Sequence, residues 1–151
     1  MEPADLSRPG SVMTTLWLLW AALVGGVVSF AAIIAFLVAG DVIVGMDLPP
    51  VIEYLPLGVL LVLGVIGYAV RLVILRRHLT PQGLKPEGYF AGHFALLIFL
   101  ETAALFSLVV VLLTGQFWPA SAATALSLAL MLLNWPRRDA IQPQPMDSLL
   151  P

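Results

Sequence analysis

The residue whose type and position most directly indicate chemistry is Glu101, a carboxylic acid inside a long apolar run that starts at Phe90. At about 1.5 Å per helical residue, Glu101 lies about 16 Å into this run, near the middle of a bilayer. A charged carboxylate at that depth costs on the order of 3 kcal/mol on insertion scales. We therefore expect the resting form to be protonated and able to release its proton when its surroundings change.

Small and polar residues are expected around this carboxyl. Glycines at the same depth on neighbouring helices allow a close backbone approach, and hydroxyl groups on the same helix offer hydrogen-bond partners. We predict a proton-binding site at Glu101 and Thr102, supported by Gly25, Gly26, Gly64, Tyr68 and Ser107. No Lys, Arg or His is placed at mid-depth, so a protonated acid is favoured over an ion pair within the chain.

The composition and the apolar runs are typical of a membrane protein. Of 151 residues, 60% are hydrophobic and 11% charged, and the mean hydropathy is +1.00. Soluble domains average about 45–50% apolar and about 25% charged residues. No run alternates as a membrane strand does. We predict an all-α polytopic membrane protein, a single domain over 1–151, whose four transmembrane helices form a bundle over residues 14–39, 55–75, 90–113 and 119–135.

The distribution of charge predicts an orientation. All seven basic residues fall on one side of the predicted membrane. They are Arg8, Arg71, Arg76, Arg77, Lys85, Arg137 and Arg138. The first loop carries only the acidic Asp41, Asp47 and Glu53. By the positive-inside rule, both termini are predicted to be cytoplasmic, in a multi-pass protein of a bacterial-type inner membrane. The first run is too long for a signal-peptide core of about 7–15 residues, so we expect it to be retained.

The residue groups of most enzymes and metalloproteins are missing from the sequence. There is no cysteine, and we find no nucleophile–base pair, metal-ligating cluster or glycine-rich phosphate loop. Of the two histidines, neither is near the bilayer centre, and His93 is expected at the membrane interface. We therefore expect no metal, no cofactor and no nucleic-acid partner. The chain is expected to have no catalytic site of its own and to be at most a subunit of a larger enzyme.

Stripes of small residues four positions apart predict close helix packing. The first run has Ala21, Gly25 and Ser29, and the last has Ser121, Ala125 and Ala129. Small residues let helix backbones approach each other in lipid, where no hydrophobic force drives association. The stripes fit either a tight bundle or a tight oligomer. The expected partners are the lipid bilayer and either further copies of the chain or other membrane subunits.

The segment from Lys85 onward resembles the second helix of the rotary ATP synthase c subunit. Lys85, Pro86 and Glu87 stand where that family has a polar loop with a basic residue near a proline. An apolar helix follows with Glu101 at mid-membrane, small residues, an aromatic at Phe106 and a Leu-Val-Val run. The chain size and the four spans also look like the duplicated proteolipid of vacuolar-type ATPases, which keeps one carboxylate per four helices.

This resemblance implies ion carriage. Glu101 would match the ion-carrying carboxylate, Thr102 the small hydroxyl that often follows it, and Phe106 a position where some members have tyrosine. The acid would be protonated facing lipid and would lose its proton on meeting a cationic group of a partner subunit. Protons are favoured over sodium, because the second span supplies no Gln, Asn or Ser at the depth of Glu101.

Three functions remain open from the sequence. The first is a proton-carrying, c-subunit-like component of an ion-translocating complex. The second is a structural or assembly subunit, in which the small-residue stripes dock and Glu101 hydrogen-bonds a neighbouring helix. The third is a small proton-coupled transporter that works as a dimer and shares Glu101 between proton and substrate.

Overall fold

The computed structural model describes residues 9–43, 45–46, 48–81 and 83–137, and about 80% of these residues are helical. The described residues form four helices: α1 (Pro9–Ala39), α2 (Val51–Arg77), α3 (Pro86–Thr114) and α4 (Ala120–Leu133). A small hairpin of β1 (Leu79–Thr80) and β2 (Gly83–Leu84) joins α2 to α3. The prediction of an all-helical architecture is therefore confirmed apart from this hairpin.

Three of the four helices are long and apolar enough to cross a membrane. Helices α1, α2 and α3 have 31, 27 and 29 residues, or roughly 40–46 Å at the usual rise per residue. Helix α4 has 14 residues, which is about 21 Å and less than the hydrocarbon thickness of about 30 Å. The lengths indicate a multi-pass membrane protein, and the expected fourth span is a shorter apolar helix.

Three helices start earlier than the predicted ranges; α2 begins at Val51 rather than at residue 55, and the other two begin at a proline. Helix α1 begins at Pro9 rather than at residue 14, and α3 begins at Pro86 rather than at residue 90. A proline is well placed in the first helical turn, because its missing N–H would have no helical partner there. Helix α4 ends two residues before its predicted limit, at Leu133, and Pro136 follows shortly after.

Helix α3 is the centre of the fold and packs against the other three helices. Its contact with α2 is closest at glycines, which have no side chain to separate the helices. A Cβ on Gly67 would lie 3.0 Å from Phe99 Cβ, and one on Gly92 would lie 3.3 Å from Leu75 Cδ2. Gly88 likewise lies directly against His78. These glycines allow the α2 and α3 backbones to approach each other closely.

The rest of α3 is buried against α1 and α4. Leu96, Leu97 and Leu100 form a fully buried cluster with Trp20 of α1 and Met131 of α4. A second cluster lies further along α3 and contains Val27 and Ile34 of α1, Ala104, Leu108, Val110 and Val111 of α3, and Ala120 of α4. Parallel α1 and α3 thus pack along most of their length.

The two ends of the bundle differ in charge. The start of α1, the end of α2, the start of α3 and the end of α4 meet at one end, which we call the basic end. Its described basic residues are Arg71, Arg76, Arg77, Lys85 and Arg137. The opposite end carries Asp41 and Glu53, and there the loop packs on α3 through Met46 N–H donating to Leu113 O at 2.9 Å. Arg8, Arg138 and Asp47 lie outside the described residues.

The glycine contact between α2 and α3 leads to a stability prediction. Replacing Gly67 by Val should lower the free energy of unfolding by about 1–3 kcal/mol, because overpacking forces backbone or side-chain shifts. The matched control is Gly58→Val on the same helix, where no atom lies within 4 Å of the added Cβ. Thermal unfolding in detergent micelles measures both, and equal effects of the two variants would contradict the close α2–α3 contact.

Candidate functional site

Glu101 lies at the border between the packed and the outward faces of α3. It is one residue past the midpoint of the helix and is half-buried. Its neighbour Leu100 is fully buried in the core, whereas Ile98 and Thr102 are exposed. Within the described part of the chain, the carboxyl has no hydrogen-bond or ion-pair partner. A mid-helix carboxyl at the edge of the bundle is thus open to a partner from outside.

The two hydroxyls predicted near Glu101 bond to their own helix instead. Thr102 Oγ1 donates to Ile98 O at 2.8 Å on the outward face. Ser107 Oγ donates to Ala103 O at 2.7 Å, and its side chain is fully buried. Each hydroxyl hydrogen is therefore already used by a backbone carbonyl one turn earlier, which is a common arrangement for Ser and Thr within helices.

The remaining predicted supporting residues are Gly25 and Gly26 on α1 and Gly64 and Tyr68 on α2. Gly25 and Gly26 are exposed on α1, and Gly64 is buried on α2. No atom lies within 4 Å of a Cβ built on any of these three glycines. Tyr68 bonds to Asn134 at the basic end. None of the three glycines therefore contacts the Glu101 side chain at its Cβ position, and on α2 the close glycine contact with α3 is at Gly67.

A second group of polar residues lies at the basic end, where α4 meets α2. Arg71 Nη1 donates to Asn134 Oδ1 at 2.6 Å. Asn134 Nδ2 donates to Tyr68 OH at 2.6 Å and to Leu130 O at 2.8 Å. The single amide of Asn134 thus holds two side chains of α2 and closes the end of its own helix.

Helix α3 joins this group through Tyr89 and His93. Arg137 N–H donates to Tyr89 OH at 3.0 Å, and the rings of Tyr89 and His93 stack with centroids 5.4 Å apart. His93 is 1% exposed, and neither ring nitrogen has a hydrogen-bond partner. The histidine predicted at the membrane interface is thus buried among the helices.

Helix α1 reaches the same end through tryptophans. Trp17 and Trp20 pack edge-to-face on Trp135, with centroids 4.0 Å and 4.8 Å away. Trp20 Nε1 donates to Met131 O at 3.0 Å. The aromatic side chains therefore hold the end of α4 against α1, as the Arg71–Asn134–Tyr68 bonds hold it against α2.

The sequence interpretation missed Asn134 and the buried state of His93. Asn134 is a lone amide between the apolar residues of α4 and a Trp-Pro pair. This position in the sequence could have indicated its role. A side chain that can both donate and accept, placed just after an apolar helix, commonly caps that helix or bonds to a neighbouring helix. Nothing local in the sequence indicates that His93 faces the interior, because its neighbours on all sides are apolar.

The chemistry that these groups support is proton exchange and polar recognition. In the part of the chain that the structure describes, no group of three His, Cys, Asp or Glu could hold a metal ion. No protein-family model, no curated protein and no solved structure matches the chain.

The unpaired nitrogens of His93 give a direct test of its surroundings. His93→Phe keeps a ring against Tyr89 and removes two buried polar atoms without partners, each of which destabilises a fold by about 1–3 kcal/mol. The free energy of unfolding of the variant should equal that of the wild type or exceed it by up to about 2 kcal/mol. Thermal unfolding in detergent measures the change, with the nearby Leu97→Ala expected to lose about 2–4 kcal/mol. A large loss in His93→Phe would mean that the ring nitrogens hold a bound group in the native protein.

Proposed function

We propose that this chain carries protons through Glu101 as a c-subunit-like component of an ion-translocating membrane complex. The observation that supports this most is the unpartnered carboxyl at the midpoint of α3, on the edge of the bundle. Intramembrane carboxylates are expensive, and they usually mark ion or substrate pathways. A partially outward position lets a group on a partner subunit approach the acid and take its proton.

The hairpin of α2 and α3 also supports the proposal. In the c subunit, two closely packed helices are joined by a short polar loop, and the second helix carries the carboxylate. Here, α2 and α3 approach closely at Gly67, Gly88 and Gly92, and the connection contains Lys85. The proton would be exchanged between Glu101 and the partner, while Thr102 shapes the helix surface beside it.

We further propose that the basic end faces the cytoplasm of a bacterial-type cell, and that α4 completes a four-helix bundle in the inner membrane. The described basic residues at that end are Arg71, Arg76, Arg77, Lys85 and Arg137, whereas the opposite end carries Asp41 and Glu53. The positive-inside rule converts this asymmetry into an orientation with both termini cytoplasmic. Helix α4 would cross part of the apolar layer, covered by α2 and α3.

An assembly subunit is the alternative with a specific observation in its favour. The outward side of α1 shows exposed small residues, Ala21, Ala22, Gly25, Gly26, Ser29 and Ala32. A neighbouring helix could pack there closely, and Glu101 would then hydrogen-bond another chain without exchanging protons. A small proton-coupled transporter that works as a dimer is the third possibility.

Reaction with dicyclohexylcarbodiimide tests whether Glu101 is a protonated acid in apolar surroundings. The reagent attacks the protonated form, so labelling at Glu101 should fall as the pH rises and the acid ionises. Glu87, exposed at the start of the same helix, serves as the internal control and should stay unlabelled. Peptide mass spectrometry over a pH series reads both sites, and absent or pH-independent labelling of Glu101 would count against proton carriage.

Replacing Glu101 by Gln separates proton carriage from assembly. The amide keeps the size and hydrogen-bonding ability of the side chain but cannot ionise. We expect proton flux in vesicles to be lost while the oligomer seen by native mass spectrometry is unchanged; Glu87→Gln should change neither. Retained flux together with a broken oligomer would favour the assembly role. The oligomer of the wild type also separates the three functions. A large homo-ring supports a rotor, and a dimer supports a transporter. A single copy among unlike subunits supports an accessory protein.

A further inference from the structure

A pair of hydrogen-bond donors lies on α2 near the basic end. Tyr68 and Arg71 are three residues apart and therefore neighbours on the helix surface. Tyr68 is 41% exposed, and Arg71 is half-buried beside it. Arg71 is six residues before the end of α2 at Arg77, or about 9 Å inside the helix end. Arg and Lys side chains near the end of a membrane helix extend towards the lipid headgroups.

The orientation of the Asn134 amide decides what this pair offers to a ligand. A guanidinium group has N–H donors and no acceptor, so the atom that Arg71 meets at 2.6 Å must be Asn134 Oδ1. The amide nitrogen therefore points at Tyr68, and the Tyr68 oxygen accepts its hydrogen. It follows that the hydroxyl hydrogen of Tyr68 is left to donate, and among the described residues it has no acceptor.

Arg71 is also left with unused hydrogen-bond capacity. Its one hydrogen bond in the described chain is the bond to Asn134, and no carboxylate pairs with it there. The remaining N–H groups carry a full positive charge, and no carboxylate of the described residues neutralises it. Two fixed side chains thus present donors and a positive charge together, which is the arrangement that binds phosphate oxygens.

From the two donors towards the middle of α2, the surface of the helix is apolar. Leu61 and Val65 are 69% and 62% exposed and lie on the face of α2 that also carries Tyr68. A ligand with a phosphate at one end and hydrocarbon chains at the other would match both parts. A free phosphate would use only the donors. The shape of the surface therefore favours a phospholipid.

The charge around the pair favours an anionic lipid over a zwitterionic one. Arg76, Arg77 and Lys85 are exposed at the same end, and among the described residues there only Glu87 is acidic. We propose that Tyr68 and Arg71, held in place by Asn134, bind the phosphate of an anionic phospholipid whose acyl chains lie along Leu61 and Val65.

The test is a titration of the purified full-length chain in detergent with phosphatidylglycerol or phosphatidylcholine, read by native mass spectrometry. The wild type should bind phosphatidylglycerol more tightly. Arg71→Gln should weaken that binding about tenfold, since a charge-assisted hydrogen bond is lost, and Tyr68→Phe about threefold. Arg76→Gln is the matched control, because it removes the same charge from the same helix end, and should change the affinity less than about twofold.

Each other outcome overturns the site. Equal losses of affinity in Arg71→Gln and Arg76→Gln would mean general attraction to a basic surface. An unchanged affinity in Tyr68→Phe would mean that the hydroxyl is not part of the site. Tyr68→Phe keeps an exposed ring on a folded helix, so it decides the matter even if Arg71→Gln unfolds. Displacement of the lipid by millimolar inorganic phosphate would identify a free-anion site. Equal binding of both lipids would exclude charge selection.

Discussion

The close contact of α2 with α3 is the constraint on which the other features of this protein depend. In lipid, helices gain nothing by hiding apolar surface from one another, so they associate where backbones and side chains fit closely. Gly67 meets Phe99, and Gly92 meets Leu75, because neither glycine has a side chain to separate the helices. This contact puts one side of α3 against α2, and Ile98 and Thr102 remain exposed on another side of the same helix.

Once α3 is placed in this way, its polar groups are divided into two kinds. Ser107 and Thr114 donate to their own helix backbone and need nothing from other elements. His93 and Glu101 are different, because neither has a hydrogen-bond partner in the described chain. His93 is enclosed and Glu101 is at the rim, so only Glu101 is open to a second protein.

The basic end shows how a short helix is held in the fold. Helix α4 is too short to cross the apolar layer alone, and its last turn is tied to each neighbour by a different contact. Asn134 bonds to Arg71 and Tyr68 of α2, Met131 accepts from Trp20 of α1, and the chain just beyond donates to Tyr89 of α3. These bonds fix side chains of α2 in one orientation, and a fixed pair of donors binds a phosphate with less loss of entropy than a mobile pair.

The amino-acid sequence by itself was enough to predict helices, three of the apolar segments and the separation of basic from acidic ends, because these depend on composition along the chain. It also identified Glu101 as the central acid, since helix depth is a matter of counting residues. Only the tertiary structure decided that Gly67 rather than Gly64 makes the close contact, that Gly25 and Gly26 face outward, and that Tyr68 bonds to Asn134. The physical reason is rotational: residue spacing gives depth along a helix, but the direction in which each side chain points is set by how the helices pack.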